Sequence, residues 1–243
     1  EKYVRPYLAS KQEYMFVSRV LRIAKVGESK TEYVLRDLIE KQTNPTIATY
    51  VKNIEVIVRI TAKAKSEEEA SALISPVADE IYKRLGNNVY GEGETTLPEV
   101  MCQRLLKDKI TVAVSESCTG GMLSSAFTDV PGISEIFMEG AVTYSNEAKM
   151  RRLGVKKETL DKYGAVSAQT AAEMAEGIAK SAGTDIGLST TGIAGPGGGT
   201  EEKPVGLVYI GLCVYGKTIT KELHFTGNRE RIRTRTVDAV FDA

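Results

Sequence analysis

The chain has 243 residues, enough for one large domain or two modest ones, and its 32 Lys plus Arg balance 32 Asp plus Glu. Zero formal charge offers no overall pull toward nucleic acid or an anionic membrane, so any anion site must be local. Three widely spaced cysteines (Cys102, Cys118, Cys213) suggest neither a disulfide framework nor a metal cluster, no apolar run is long enough to span a membrane, and no signal peptide opens the chain, so a cytoplasmic protein is expected.

Residues 1–12 are charged, broken by Pro6 and too short to form a unit of their own. Residues 14–26 read as a strand. Ser29-Lys30-Thr31-Glu32 is a capping-box pattern that predicts a helix to about residue 41, and Asn44-Pro45 ends it. Residues 47–51 and 54–62 predict a hairpin across Lys52-Asn53, with Val56, Val58 and Ile60 alternating against Arg59 and Thr61. Ser66 with Glu69 opens a second helix to about residue 85, and Val89-Tyr90 suggests an edge strand. The order β-α-β-β-α-β describes a small α+β domain over 13–93, with 91–94 as a linker.

From residue 94 strands and helices alternate. Thr96, Pro98 and Glu99 start a helix; 110–114 is an apolar strand, followed by a glycine turn and a helix over 118–127. Further strands are expected at 141–144 and 186–190, helices at 146–153 and 167–182, and a hairpin over 205–214 and 217–225 before a last helix near Asn228. Short apolar strands between helices imply an α/β domain over 94–243. Its sheet should be mainly parallel, with helices on both faces and one antiparallel hairpin.

The single histidine, His224, lies in an alternating stretch and reads as structural, which leaves acid–base work to Lys, Tyr, Glu or Asp. Four segments could carry chemistry. Ser115-Glu116-Ser117-Cys118-Thr119-Gly120-Gly121 follows a buried strand, where open α/β sheets bind ligands, although Ser117 or Thr119 could equally serve as a helix cap. In Thr143-Tyr144-Ser145-Asn146-Glu147-Ala148-Lys149, Asn146 as N-cap puts Lys149 in a first helical turn. The dipole there disfavours an ammonium and would make a partly neutral base, against the alternative of a solvated lysine. Ser189 to Gly199 holds five glycines in eight residues, able to cradle a phosphate or ribose but lacking a Walker pattern; a merely flexible loop is the alternative. Finally, Arg229 and Arg233 share one helix face and Arg231 and Arg235 another. One pair could grip a phosphate, or all four could be a solvated face.

Together these segments closely resemble the CinA family, through ESCTGG at 116–121, TDVPG at 128–132, VTYSNEAK at 142–149, GAVS at 164–167, GIAGP at 192–196 and EEKPVG at 201–206. The resemblance of residues 95–243 is to that family's carboxyl-terminal nicotinamide-nucleotide amidase domain, and that of 13–93 to its middle, KH-type domain. A molybdopterin-binding-like domain comes earlier in the family, so residues 1–12 look like the remnant of a missing amino-terminal domain. The resemblance implies hydrolysis of nicotinamide mononucleotide to nicotinate mononucleotide and ammonia, in pyridine nucleotide salvage, with no cofactor and no metal. It carries the catalytic positions over to Ser117, Lys149 and Tyr144. Substrate contacts are expected from Cys118, Thr119, Gly120, Gly121, Thr190, Thr191 and Gly192, and from Arg229 or Arg233, between which the motif does not decide. Backbone N–H groups of a helix start at 118–121 would hold the oxyanion, and Cys118 is the rival nucleophile. A pyridine nucleotide and a second copy of the chain, as a dimer, are the expected partners, and no membrane is expected. Nucleic acid is not expected either, because the 13–93 domain lacks a Gly-x-x-Gly loop. A nucleotide-binding regulatory module without turnover is the alternative function.

Overall fold

A computed structural model describes residues 13–52 and 55–243. Residues 1–12 and the hairpin tip at 53–54 lie outside the described residues, so expectations for them have no structural counterpart. The chain divides into two compact units between Leu97 and Pro98.

The first unit runs β1 (Met15–Ile23), α1 (Glu28–Glu40), β2 (Thr46–Lys52), β3 (Glu55–Ala64), α2 (Glu67–Leu85) and β4 (Val89–Glu92). Its sheet has the order β2-β3-β1-β4, antiparallel throughout. Period-two alternation sends Val56, Val58, Ile60, Ala62 and Ala64 of β3 to one face. There they join Leu21 and Ile23 of β1 under Leu35 of α1 and Ile74, Ala78 and Ile81 of α2. Ser66 caps α2 as expected, its side chain accepting from the Glu69 N–H at 3.2 Å. Two expectations need correction. Ser29 is not a cap: α1 opens at Glu28 behind an extended Gly27, with no side-chain cap. The hydroxyl of buried Thr31 instead donates to the Gly27 carbonyl at 3.1 Å. Gly91 and Glu92 belong to β4 rather than to a linker, because Glu92 is held by Arg19 at 2.6 Å and by the Tyr82 hydroxyl at 2.6 Å.

The second unit runs α3 (Leu97–Asp108), β5 (Val112–Glu116), α4 (Met122–Thr128), β6 (Phe137–Val142), α5 (Asn146–Leu153), α6 (Lys157–Tyr163), α7 (Ala168–Ala182), β7 (Ile186–Gly192), β8 (Leu207–Val214), β9 (Lys217–His224) and α8 (Arg229–Asp242). The sheet order is β6-β5-β7-β8-β9: β6, β5 and β7 are parallel, and β8 is antiparallel to both its neighbours. This is the mainly parallel sheet with one antiparallel hairpin that the sequence implies. β5 is buried at every position, as a central strand covered on both faces must be.

α7 lies directly on the sheet. A Cβ on Gly187 of β7 would come within 2.1 Å of the Ala175 carbonyl oxygen, and one on Gly211 of β8 within 2.4 Å of that of Ala171, so both positions require glycine. Ser115 and Ser189 hydroxyls tie the strands to the same helix through Met174 O (3.2 Å) and Ala171 O (2.6 Å). On the other face α4 meets α8, with the Phe127 and Phe241 rings 5.0 Å apart. The unpredicted α6 is a two-turn helix whose Leu160 joins the core with Leu153 and Met174.

Candidate active site

The carboxyl ends of β5, β6 and β7 lie side by side, and the chain leaving each contributes to one site. Ser117 follows β5; its N–H donates to Thr190 O of β7 at 3.0 Å and the residue is 9% exposed. Lys149 comes from α5, which begins just after β6. The cap of α5 is Ser145, whose hydroxyl accepts from the Ala148 N–H at 3.1 Å, and not Asn146. With two adjacent polar residues available, the extended backbone at Ser145 decides which one caps.

Lys149 is fully buried, yet among the described residues it has no carboxylate partner. Its ammonium nitrogen lies 3.1 Å from Ser117 Oγ, 2.8 Å from Thr143 O and 3.1 Å from Tyr144 O. Burial penalises the charge and pulls the Lys149 pKa down to about 8, with the neighbouring Cys118 thiol acting weakly the other way. Desolvation is therefore the dominant cause, where the sequence suggested the helix dipole. The lysine and serine expected to act together are in hydrogen-bonding contact across 32 positions of sequence.

The turn after Ser117 differs from the expectation. The helix does not begin at 118: residues 117–121 are a turn with Gly120 at φ 57° and Gly121 at φ 98°, and α4 starts at Met122. Nor are the first N–H groups of α4 open to a ligand. Glu116, fully buried, accepts from the N–H groups of Gly121 (2.9 Å), Leu123 (3.0 Å) and Ser124 (2.8 Å) and from the Ser124 hydroxyl (2.7 Å). The protein's own carboxylate fills that anion site. Thr119 turns its hydroxyl to that of Thr190, 2.7 Å away and also buried. Cys118 is buried too, and desolvation pushes its thiol up to about 11, which removes most of the thiolate a nucleophile would need.

Tyr144 is placed differently from the expected helper of the lysine. Its carbonyl, not its hydroxyl, reaches Lys149; the residue is 63% exposed, and the hydroxyl accepts from Arg229 Nη2 at 3.5 Å. Arg229 also donates to Gly195 O at 2.8 Å, so it stands exposed at the rim between Tyr144 and the glycine loop. Arg233, one turn further along α8, instead donates to Cys118 O at 3.1 Å and Thr119 O at 2.5 Å. Thr191 points its hydroxyl to Ala165 O at 2.7 Å. Gly192 is a packing glycine, since a Cβ would lie 2.6 Å from Val208 Cγ2. Lys203, unremarked in the sequence, ties the glycine loop to Tyr163 O at 2.6 Å and Val166 O at 2.8 Å. The only signal for it was the EEKP run itself.

Fold and site together define a mixed α/β domain with a buried lysine–serine pair at the ends of its parallel strands. The chain belongs to the CinA family. Residues 94–243 match the model of the CinA C-terminal domain, and residues 18–91 that of the damage-inducible protein CinA KH domain. A Clostridium acetobutylicum protein, provisionally named a competence-damage inducible protein, is 61% identical over 240 residues, covering 99% of this chain and 58% of its own length. A Clostridium perfringens relative of the same name gives the same identity and coverage. The chain thus spans under two thirds of the curated relatives it matches. Among solved structures, a CinA superfamily protein from Escherichia coli has TM-score 0.58 at 35% identity, covering 60% of this chain and 84% of that one. A competence/damage inducible protein from Agrobacterium tumefaciens has TM-score 0.57 at 39% identity, covering 60% and 93%. Among the described residues no helix is long and apolar enough to cross a membrane.

Proposed function

We propose that the second unit is an amidohydrolase that removes ammonia from nicotinamide mononucleotide, leaving nicotinate mononucleotide, with Ser117 as nucleophile and Lys149 as general base. The supporting observation is the buried Lys149 nitrogen 3.1 Å from Ser117 Oγ. When Lys149 is neutral, its two N–H groups stay on Thr143 O and Tyr144 O and its lone pair accepts the serine proton. Ser117 Oγ then bonds to the carboxamide carbon, and the carbonyl oxygen takes the negative charge. As the C–N bond breaks, Lys149 returns the proton to the departing ammonia. Water, deprotonated by the same amine, cleaves the acyl-serine to the carboxylate. Arg229, at the rim beside the glycine loop, is the arginine suited to the substrate phosphate, and Arg233 is committed elsewhere. Tyr144 lines the mouth beside Arg229, where its ring can face the pyridine.

Ammonia release from nicotinamide mononucleotide tests the reading. Ser117→Ala should lose at least about 10³-fold in kcat, while Cys118→Ala stays within about tenfold of the parent. An active Ser117→Ala would remove serine from the scheme in favour of a different nucleophile, and a parent protein that binds the mononucleotide without releasing ammonia would replace the amidase with a binding module.

A further inference from the structure

Arg233 takes no part in that scheme, yet its guanidinium spans the turn that carries the nucleophile. Nε and Nη2 donate to the carbonyls of Cys118 and Thr119, which belong to the two successive peptide units following Cys118. Each peptide unit is planar and trans, so its N–H points opposite to its C=O. A cation that draws both carbonyls to one side therefore turns the N–H groups of the same units, those of Thr119 and Gly120, to the other. These two N–H groups donate to no protein acceptor among the described residues, whereas those of Gly121, Leu123 and Ser124 are taken by Glu116. Gly120 holds φ 57°, a left-handed turn that favours glycine, and Arg233 Nη2 lies in van der Waals contact with that position. Two adjacent, parallel N–H groups beside a nucleophile form the concavity that stabilises a developing oxyanion.

We propose that Arg233 is a positioning residue for this reaction: by fixing the Cys118 and Thr119 carbonyls it aims the Thr119 and Gly120 N–H groups at the oxyanion, and it does not bind the substrate phosphate. The inference rests on the amidase reading above. It is tested with Arg233→Met, Arg233→Lys and Arg229→Met in the full chain, on nicotinamide mononucleotide and on nicotinamide riboside, which lacks the phosphate. Arg233→Met should lower kcat about 10²-fold on both substrates, with KM within about threefold. Arg233→Lys, which keeps the charge but not the fork, should lose about tenfold and carries the test if the methionine variant does not fold. Arg229→Met should raise KM for the mononucleotide. An Arg233 variant that raises KM for the mononucleotide alone, or leaves kcat unchanged, overturns the inference. If the parent protein releases no ammonia from either substrate, the amidase reading fails by itself, and labelling of Ser117 by a fluorophosphonate decides the rest. There the Ser117 Oγ–P bond forms, the P–F bond breaks, fluoride leaves and Lys149 takes the proton. Labelling slowed about 10²-fold by Arg233→Met, or about tenfold by Arg233→Lys should the methionine variant not fold, upholds the positioning role; unchanged labelling overturns it.

Discussion

Among the described residues each unit buries one cation, and the two are treated in opposite ways. Arg22 in the first unit is 2% exposed, with Glu55 at 2.8 Å, Gly93 O at 2.8 Å and the exposed Glu94 at 3.5 Å. Its charge is permanent and has a partly buried counter-charge in Glu55. Lys149 in the second unit is buried as deeply, but among the described residues it hydrogen-bonds only to two carbonyls and a serine hydroxyl. A guanidinium with a carboxylate is a fixed strut. An ammonium with none can let its proton go, and that difference in partners separates a structural cation from a reactive one.

The largest effect should separate the two cations outright. Lys149→Met is expected to cut ammonia release by at least about 10³-fold while the protein stays folded by circular dichroism. Arg22→Met should do the reverse. It leaves Glu55 without its cation, costs the first unit about 3 kcal/mol in urea unfolding, and leaves activity per folded molecule unchanged. If Arg22→Met proves as inactive as Lys149→Met while folded, the contrast fails. A smaller effect sharpens the comparison from the anion side. Glu116 is a buried carboxylate that needs no cation, because the start of α4 supplies its donors. Glu116→Gln replaces an all-accepting group with one that also donates, and should cost about 2 kcal/mol in the same unfolding assay.

How much of this was legible in the residues depends on how local the cause is. The buried β5, the cap at Ser66 and the hairpin of β8 and β9 follow from short-range patterning, and the sequence predicts them. Residue type does not settle a cap: α1 starts behind Gly27 with no side-chain cap rather than at Ser29, and α5 takes Ser145 rather than Asn146, because the deciding quantity is backbone conformation. The helix expected at 118 begins at 122 because Glu116, from the preceding strand, folds over to take its N–H groups. Such an exchange leaves no periodic trace. Residue chemistry singles out the Ser117 and Lys149 segments separately, but the family resemblance is what joins them, since the two are 32 residues apart and no spacing rule links them. The resemblance also left Arg229 and Arg233 undivided. They are separated by what each touches, a rim carbonyl in one case and the nucleophile turn in the other.

The central claim is that Lys149 loses its charge near neutrality because it is buried without an anion. Titrating protein labelled with ¹³C at the lysine side chains, followed by NMR and compared with Lys149→Met, measures this directly. One lysine signal, absent from the variant, should titrate near pH 8, well below an ordinary lysine. The neutral amine is the reactive form and the group is a base, so kcat/KM should climb about tenfold per pH unit below that value and level off above it. A Lys149 signal that titrates at the ordinary lysine value of 10.5 would contradict the account.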